Sequence, residues 1–85
     1  MDNNKHFTAY IKSNCPYCIQ AKDEFFRQKV NHTIHIMDDD LEGLEKMREF
    51  FNYRTVPMIF VQDAGFERLI GGYTDLVKYF NNIKD

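Results

Sequence analysis

The sequence predicts an α/β domain: a four-stranded mixed sheet flanked by three helices, in the order β-α-β-α-β-β-α. Three observations predict it. Short segments at 6–11, 33–37, 58–61 and 66–70, bounded by turn residues, read as strands. Between and after them, apolar residues recur at helical intervals over 16–28, 41–51 and 74–83. The strand–helix–strand start predicts two parallel strands, and the strand–turn–strand close predicts an antiparallel hairpin. The 85 residues fit one domain, 1–85, and no second.

The first strand, 6–11, alternates apolar and polar side chains. Cys15-Pro16-Tyr17-Cys18 follows at once, and Pro16 suits a first helical position, where the N–H it lacks would be unpaired anyway. Ile19, Ala21, Phe25 and Phe26 give this helix an apolar stripe. Asn31 marks a turn before the second strand, which is rich in β-branched residues. Asp38, Asp39 and Asp40 then favour a helix N-terminus, and Asp39 with Glu42 has capping-box spacing. The acidic run lacks the glycine and spacing of a calcium loop. Leu41, Leu44, Met47, Phe50 and Phe51 form the second stripe, and Asn52 suits a left-handed C-terminus. Asp63-Ala64-Gly65 makes the hairpin turn, and Gly71-Gly72 breaks the chain. Thr74 caps a last helix carrying Leu76, Val77, Phe80 and Ile83.

Composition bounds the function. Apolar residues make up 44% of the chain and include eight Phe and five Tyr, enough for a globular core. Charged residues, at 28%, are too ordinary a share for a disordered chain. Eleven basic against thirteen acidic residues leave a net charge of −2 with no basic run, which argues against a nucleic-acid partner. No apolar stretch approaches the ~18 residues needed to span a bilayer, which argues against a membrane protein. The polar start at 1–6 has no signal-peptide pattern. The expected compartment is cytoplasmic, and the expected state is a monomer.

Cys15 and Cys18 are the only cysteines. So close a pair staples almost nothing, so its value lies in chemistry. Between a strand and a helix, the first cysteine stands at the helix N-terminus, where unpaired N–H groups and the dipole stabilise an anion. The thiolate is the reactive form, so this setting predicts a lowered Cys15 pKa, with Lys12 adding positive charge. Cys18, one turn further in, can attack a mixed disulfide on Cys15 and release its partner. Cys15 is therefore the expected nucleophile and Cys18 the resolving thiol. A zinc site with His32 and His35 fits poorly, because two residues separate the histidines rather than about three to five. They also fall in a predicted strand, where positions 32 and 35 face opposite ways. No metal is expected.

These residues resemble a known family. Cys15-Pro16-Tyr17-Cys18 matches the active-site tetrapeptide of dithiol glutaredoxins, whereas thioredoxins carry Gly-Pro between their cysteines. Thr55-Val56-Pro57 matches the family's TVP segment, Gly71-Gly72-Tyr73-Thr74-Asp75-Leu76 its glycine-pair segment, and Lys12 its usual lysine. The resemblance covers about residues 6–83 and implies a thioredoxin-like fold.

The resemblance implies a glutathione-dependent disulfide oxidoreductase. Its substrates would be disulfide-containing or glutathionylated proteins, with ribonucleotide reductase a family-level candidate. Pro57 would be cis, and the backbone of Val56, after Thr55, would pair with the glutathione cysteine. Gly72, Tyr73, Thr74 and Asp75 would receive the γ-glutamyl end, Lys12 and Arg54 the other carboxylate, and Tyr17 would flank the ligand. The sequence departs from the family at Asn52, where Gly is common. It departs again in the second helix, where Leu44 falls near a usual ligand contact and Arg48 is the nearest substitute. Two alternatives stay open. One is a thioredoxin-like reductase fed by a flavoprotein reductase; the Pro-Tyr spacer and the glycine pair weigh against it. The other is an iron–sulfur cluster carrier, whose relatives usually replace the second cysteine or the proline.

Overall fold

The structure, a computed structural model, describes residues 5–83; the start of the polar lead-in, 1–4, and the last two residues of the expected 1–85 domain lie outside the described residues. The elements are β1 (Lys5–Ile11), α1 (Pro16–Gln28), β2 (Asn31–Ile36), α2 (Leu41–Phe51), β3 (Met58–Asp63), β4 (Phe66–Gly71) and α3 (Tyr73–Ile83). One sheet runs in the order β2-β1-β3-β4. β1 pairs with β2 in parallel, starting at His6 opposite Asn31, and pairs with β3 antiparallel. β3 and β4 form the antiparallel hairpin. This is the predicted four-stranded mixed sheet.

Alternation along β1 divides the core in two. Phe7, Ala9 and Ile11 turn to one face and pack with Cys18, Ala21 and Phe25 of α1 and Leu76 and Phe80 of α3. Phe7 is the hub, with ring centroids 5.7 Å from Phe25 and 5.3 Å from Phe80. Tyr10 turns the other way, into a smaller cluster built on Leu44 of α2 with Met58 and Phe60 of β3. The sheet is thus sandwiched between α1 with α3 and α2 alone. His32 stacks on Phe25 and His35 on Tyr10, so the two histidines do face opposite ways.

Several local expectations are corrected. The second strand spans Asn31–Ile36 rather than 33–37, because the chain reverses earlier. Lys29, at φ 56°, takes the left-handed turn that closes α1, and its N–H caps the carbonyls of Phe25 and Phe26. Asn31 already lies in the strand. Asp40, not Asp39, caps α2, accepting the Gly43 N–H at 3.0 Å, because the helix begins at Leu41. Asn52, at φ 54°, closes α2 as expected. Ile19 and Phe26 are exposed, so the buried stripe of α1 is Cys18, Ala21, Glu24 and Phe25. A bulge between Ile59 and Phe60 shifts the β3–β4 register ahead of Gly71.

Candidate active site

Three loops converge at the C-terminal end of β1. The first carries the cysteines. Cys15 is the N-cap of α1, in extended backbone, and its sulfur accepts the Cys18 N–H at 3.2 Å. A negative charge on that sulfur would meet the open N–H groups and the positive end of the helix. Cys15 is half-buried, whereas Cys18 is fully buried in the main core. Burial pushes the Cys18 thiol up to about 12, with its hydrogen bond to Cys15 acting in the same direction and a backbone hydrogen bond from Lys12 opposing. Both cysteines are free thiols.

The second loop joins α2 to β3. The Val56–Pro57 bond is cis, as the resemblance implied. Pro57 is buried, and the Val56 carbonyl oxygen lies 3.8 Å from Cys15 Sγ, the thiol donating weakly to it. A segment 41 positions away thereby forms the wall beside the sulfur.

The third loop joins β4 to α3. Gly71 holds φ at 130°, a conformation that favours glycine, and a β-carbon there would collide with the Asp75 carboxylate. Asp75 reaches back so that its Oδ2 accepts the Gly72 N–H at 3.0 Å, while the Gly72 carbonyl accepts from Leu76. Gly72 is therefore the capping residue of α3. Thr74, expected as the cap, lies inside the first turn. A β-carbon on Gly72 would come 3.0 Å from the Tyr53 hydroxyl, so glycine lets this helix end approach the second loop.

Between the loops lies a cleft of about 190 Å³ lined by Tyr17, Thr55, Val56, Pro57, Tyr73 and Thr74. Tyr17 and Tyr73 stack at 6.4 Å, so the first and third loops meet as one aromatic wall. Six sequence-predicted residues are thus brought together. Gly72 and Asp75 stand behind them at the α3 end. Lys12 and Arg54 do not line the cleft. Arg54 is exposed on the second loop, and Lys12 is half-buried with its charge acting on Asp38. Leu44 is core, and Arg48 pairs with Glu45 at 3.4 Å, so neither second-helix candidate reaches the cleft.

Two further residues brace the site. Asp38 accepts the Ser13 N–H at 3.0 Å and also the Ser13 hydroxyl, tying the cysteine loop to the β2–α2 connection. Both bonds hold the Asp38 carboxyl below its ordinary range. Tyr53 stands against Gly72. Neither was legible, because each acts through a partner distant in sequence. Among the described residues, no group of three or more His, Cys, Asp or Glu is arranged to hold a metal ion. No helix among them is long and apolar enough to cross a membrane.

A free thiol at a helix N-terminus, a buried partner thiol one turn on and a cis-proline wall define a thiol–disulfide oxidoreductase of thioredoxin-like fold. Comparison with known proteins narrows the class. The glutaredoxin family pattern matches residues 7–65, which takes in the cysteine loop and the cis-proline loop. Glutaredoxin 1 of Escherichia coli (strain K12) is 32% identical over 75 residues, covering 80% of this chain and 84% of that protein. The chain belongs to the glutaredoxin family. Among solved structures, glutaredoxin 1 from Francisella tularensis, complexed with cacodylate, superposes with a TM-score of 0.66 at 27% identity, covering 93% of this chain and 95% of that one. A buckwheat glutaredoxin–glutathione complex shares the fold, with a TM-score of 0.74 at 22% identity, covering 96% and 74%.

Proposed function

We propose that this protein reduces protein disulfides and glutathione mixed disulfides, with glutathione as the electron donor. The observation that carries this reading is the cleft itself, whose cis-proline wall stands 3.8 Å from the nucleophilic sulfur. An extended tripeptide laid along Thr55, Val56 and Pro57 would find backbone groups to pair with and would bring its own sulfur to Cys15. The α3 N-terminus, with Gly72, Tyr73 and Thr74, suits the γ-glutamyl carboxylate, and the second oxygen of Asp75 suits its ammonium group. Tyr17 flanks the peptide; Lys12 and Arg54, outside the cleft lining, are the candidates the family resemblance offers for the glycyl carboxylate.

The chemistry balances in two routes. With a glutathionylated protein, Cys15 thiolate attacks the glutathione sulfur, the S–S bond breaks, and the protein thiolate leaves and takes a proton. A second glutathione, as thiolate, attacks the Cys15-bound sulfur, releasing oxidised glutathione and regenerating the Cys15 thiolate. With a protein disulfide, Cys15 forms a mixed disulfide with one substrate sulfur. Cys18 then loses its proton, attacks Cys15 and expels the substrate as a dithiol, leaving a Cys15–Cys18 disulfide. Two glutathiones reduce it, each supplying one electron and one proton as they join into oxidised glutathione. Cys18, raised to about 12, stays a thiol until the mixed disulfide forms beside it.

A glutathione-coupled reduction assay tests the reading. Cys15→Ser should abolish turnover of both substrate types. Cys18→Ser should keep deglutathionylation and lose most protein-disulfide reduction. Reduction of the oxidised protein by a flavoprotein thioredoxin reductase but not by glutathione would overturn the proposed donor. Cytoplasmic location, a monomeric state and ribonucleotide reductase as a substrate are carried with this reading; fractionation, ultracentrifugation and reconstitution test them in turn.

A further inference from the structure

Beside the cleft, β4 and α3 enclose a second groove of about 360 Å³, lined by Arg68, Ile70, Asp75, Lys78, Tyr79 and Asn82. Its lining carries two basic side chains and one acidic one. Arg68 lies over the Tyr79 ring, 5.5 Å from its centroid. Attraction to the ring face restrains that cation at the groove. Lys78 adds a second. The single acid, Asp75, stands at the cleft end and already accepts the Gly72 N–H. By contrast, positions 38–49, around α2 on the opposite face of the sheet, carry six acids against two bases. The groove is therefore basic on a protein of net charge −2.

The groove also continues the active site. Asp75 borders it, and the adjoining Tyr73 and Thr74 line the cleft. From Asp75 to Asn82 the helix advances about 10 Å, the reach of about three extended residues. Arg68 and Lys78 are exposed. Exposed charges set along a shallow path suit a polymer that meets several of them weakly in turn, rather than one small anion gripped tightly.

We propose that this groove docks an acidic segment flanking the target disulfide of the protein substrate. The inference deepens the oxidoreductase reading and rests on it. It makes Arg68 and Lys78 specificity residues, remote from the reacting sulfurs, that favour protein disulfides flanked by Asp or Glu.

The test uses two disulfide peptides that differ only in whether the flanking residues are glutamates or glutamines. In the glutathione-coupled assay at low salt, the acidic peptide should show a kcat/KM about fivefold higher, as expected from two exposed charge pairs. Near physiological salt that advantage should shrink to about twofold or less. In the double variant R68Q/K78Q the preference should vanish, while turnover of a small glutathione mixed disulfide stays unchanged. Equal rates for the two peptides in wild type, or a preference that survives in the double variant, would overturn the proposal. So would an equal loss on the small substrate, since the groove would then act through the cleft. Fluorescence anisotropy of the same peptides with serine in place of cysteine reads docking without turnover. A glutamate preference there, lost in R68Q/K78Q, would stand even if glutathione proved not to be the donor. Its absence would sink the groove alone.

Discussion

At the scale of single residues, the two thiols are made unequal by position. Cys15 is reachable at a helix end, and Cys18 is enclosed by the main core and pushed up to about 12. At neutral pH the roles of nucleophile and resolver therefore cannot exchange. Iodoacetamide at about pH 7 should modify Cys15 first, and in Cys15→Ser the remaining thiol should react at least about a hundredfold slower than free cysteine. Mass spectrometry of timed samples reads this, and rapid labelling of Cys18 would contradict it. The same burial makes a statement about stability. The folded state raises the Cys18 thiol above its ordinary value of 9.0, so it holds a proton that the unfolded chain releases. The contribution is complete below about pH 9 and is lost as pH rises toward 12. Tyr10, raised by burial and by Glu67, acts in the same direction. Urea midpoints of the reduced protein should fall on the alkaline side, and less steeply in Cys18→Ala; parallel curves would count against the assignment. Asp38 has the opposite sign. Its carboxyl is held low by Ser13, so its contribution is present above about pH 4 and is lost on acidification. Asp38→Asn should flatten the acid limb of the same stability profile, and an unchanged acid limb would show that the tie to Ser13 is inert.

At the scale of elements, turns and caps show what the sequence could tell. Asn52 was legible because asparagine tolerates the left-handed state that ends a helix. Lys29 adopts the same state at φ 56° and was not legible, since nothing in a lysine announces it; only the demand to return β2 beside β1 imposes it. The cap of α3 was misplaced for a similar reason. Thr74 has a capping side chain, yet the glycine pair lets Asp75 fold back onto Gly72, and that bond fixes the cap two residues earlier. The cysteine pair and the TVP segment were visible as local strings. The Ser13–Asp38 tie, 25 positions apart, and the groove between β4 and α3 exist only after folding. The hairpin turn gives a test. Ala64 and Gly65 both hold positive φ, at 55° and 86°, the state that favours Asn-Gly at a two-residue turn. Ala64→Asn should stabilise the protein by about 0.5–1 kcal/mol and raise Tm by several degrees. Calorimetry reads the shift. A lower Tm would mean that the turn is not under the strain its backbone implies.

At the scale of the whole molecule, the two faces of the sheet are unequally protected, and the weaker face feeds the active site. α1 buries Cys18, Ala21 and Phe25 in the main core against the sheet, whereas α2 buries Leu44 alone. Phe50 stays 81% exposed and Leu41 54%. Local opening free energy follows buried apolar contact, so α2 should open without the rest of the fold. The segment that leaves α2 runs through Tyr53, Arg54 and Thr55 into the cis-proline wall, so loosening of this helix is felt where the substrate pairs. Leu44→Ala should cost about 2–5 kcal/mol of local stability at α2, and Phe7→Ala about 3–5 kcal/mol globally, because Phe7 joins β1 to α1 and α3. Native-state hydrogen exchange separates the two. In wild type, α2 amides should exchange well before those of β1 and α1, and Leu44→Ala should widen that gap while leaving β1 unchanged. Saturating glutathione, held by the loop that α2 anchors, should slow α2 exchange and leave α1 nearly unaffected. Equal protection of α2 and β1 in the free protein would refute the division. A ligand effect confined to α1 would place the bound tripeptide away from the cis-proline wall.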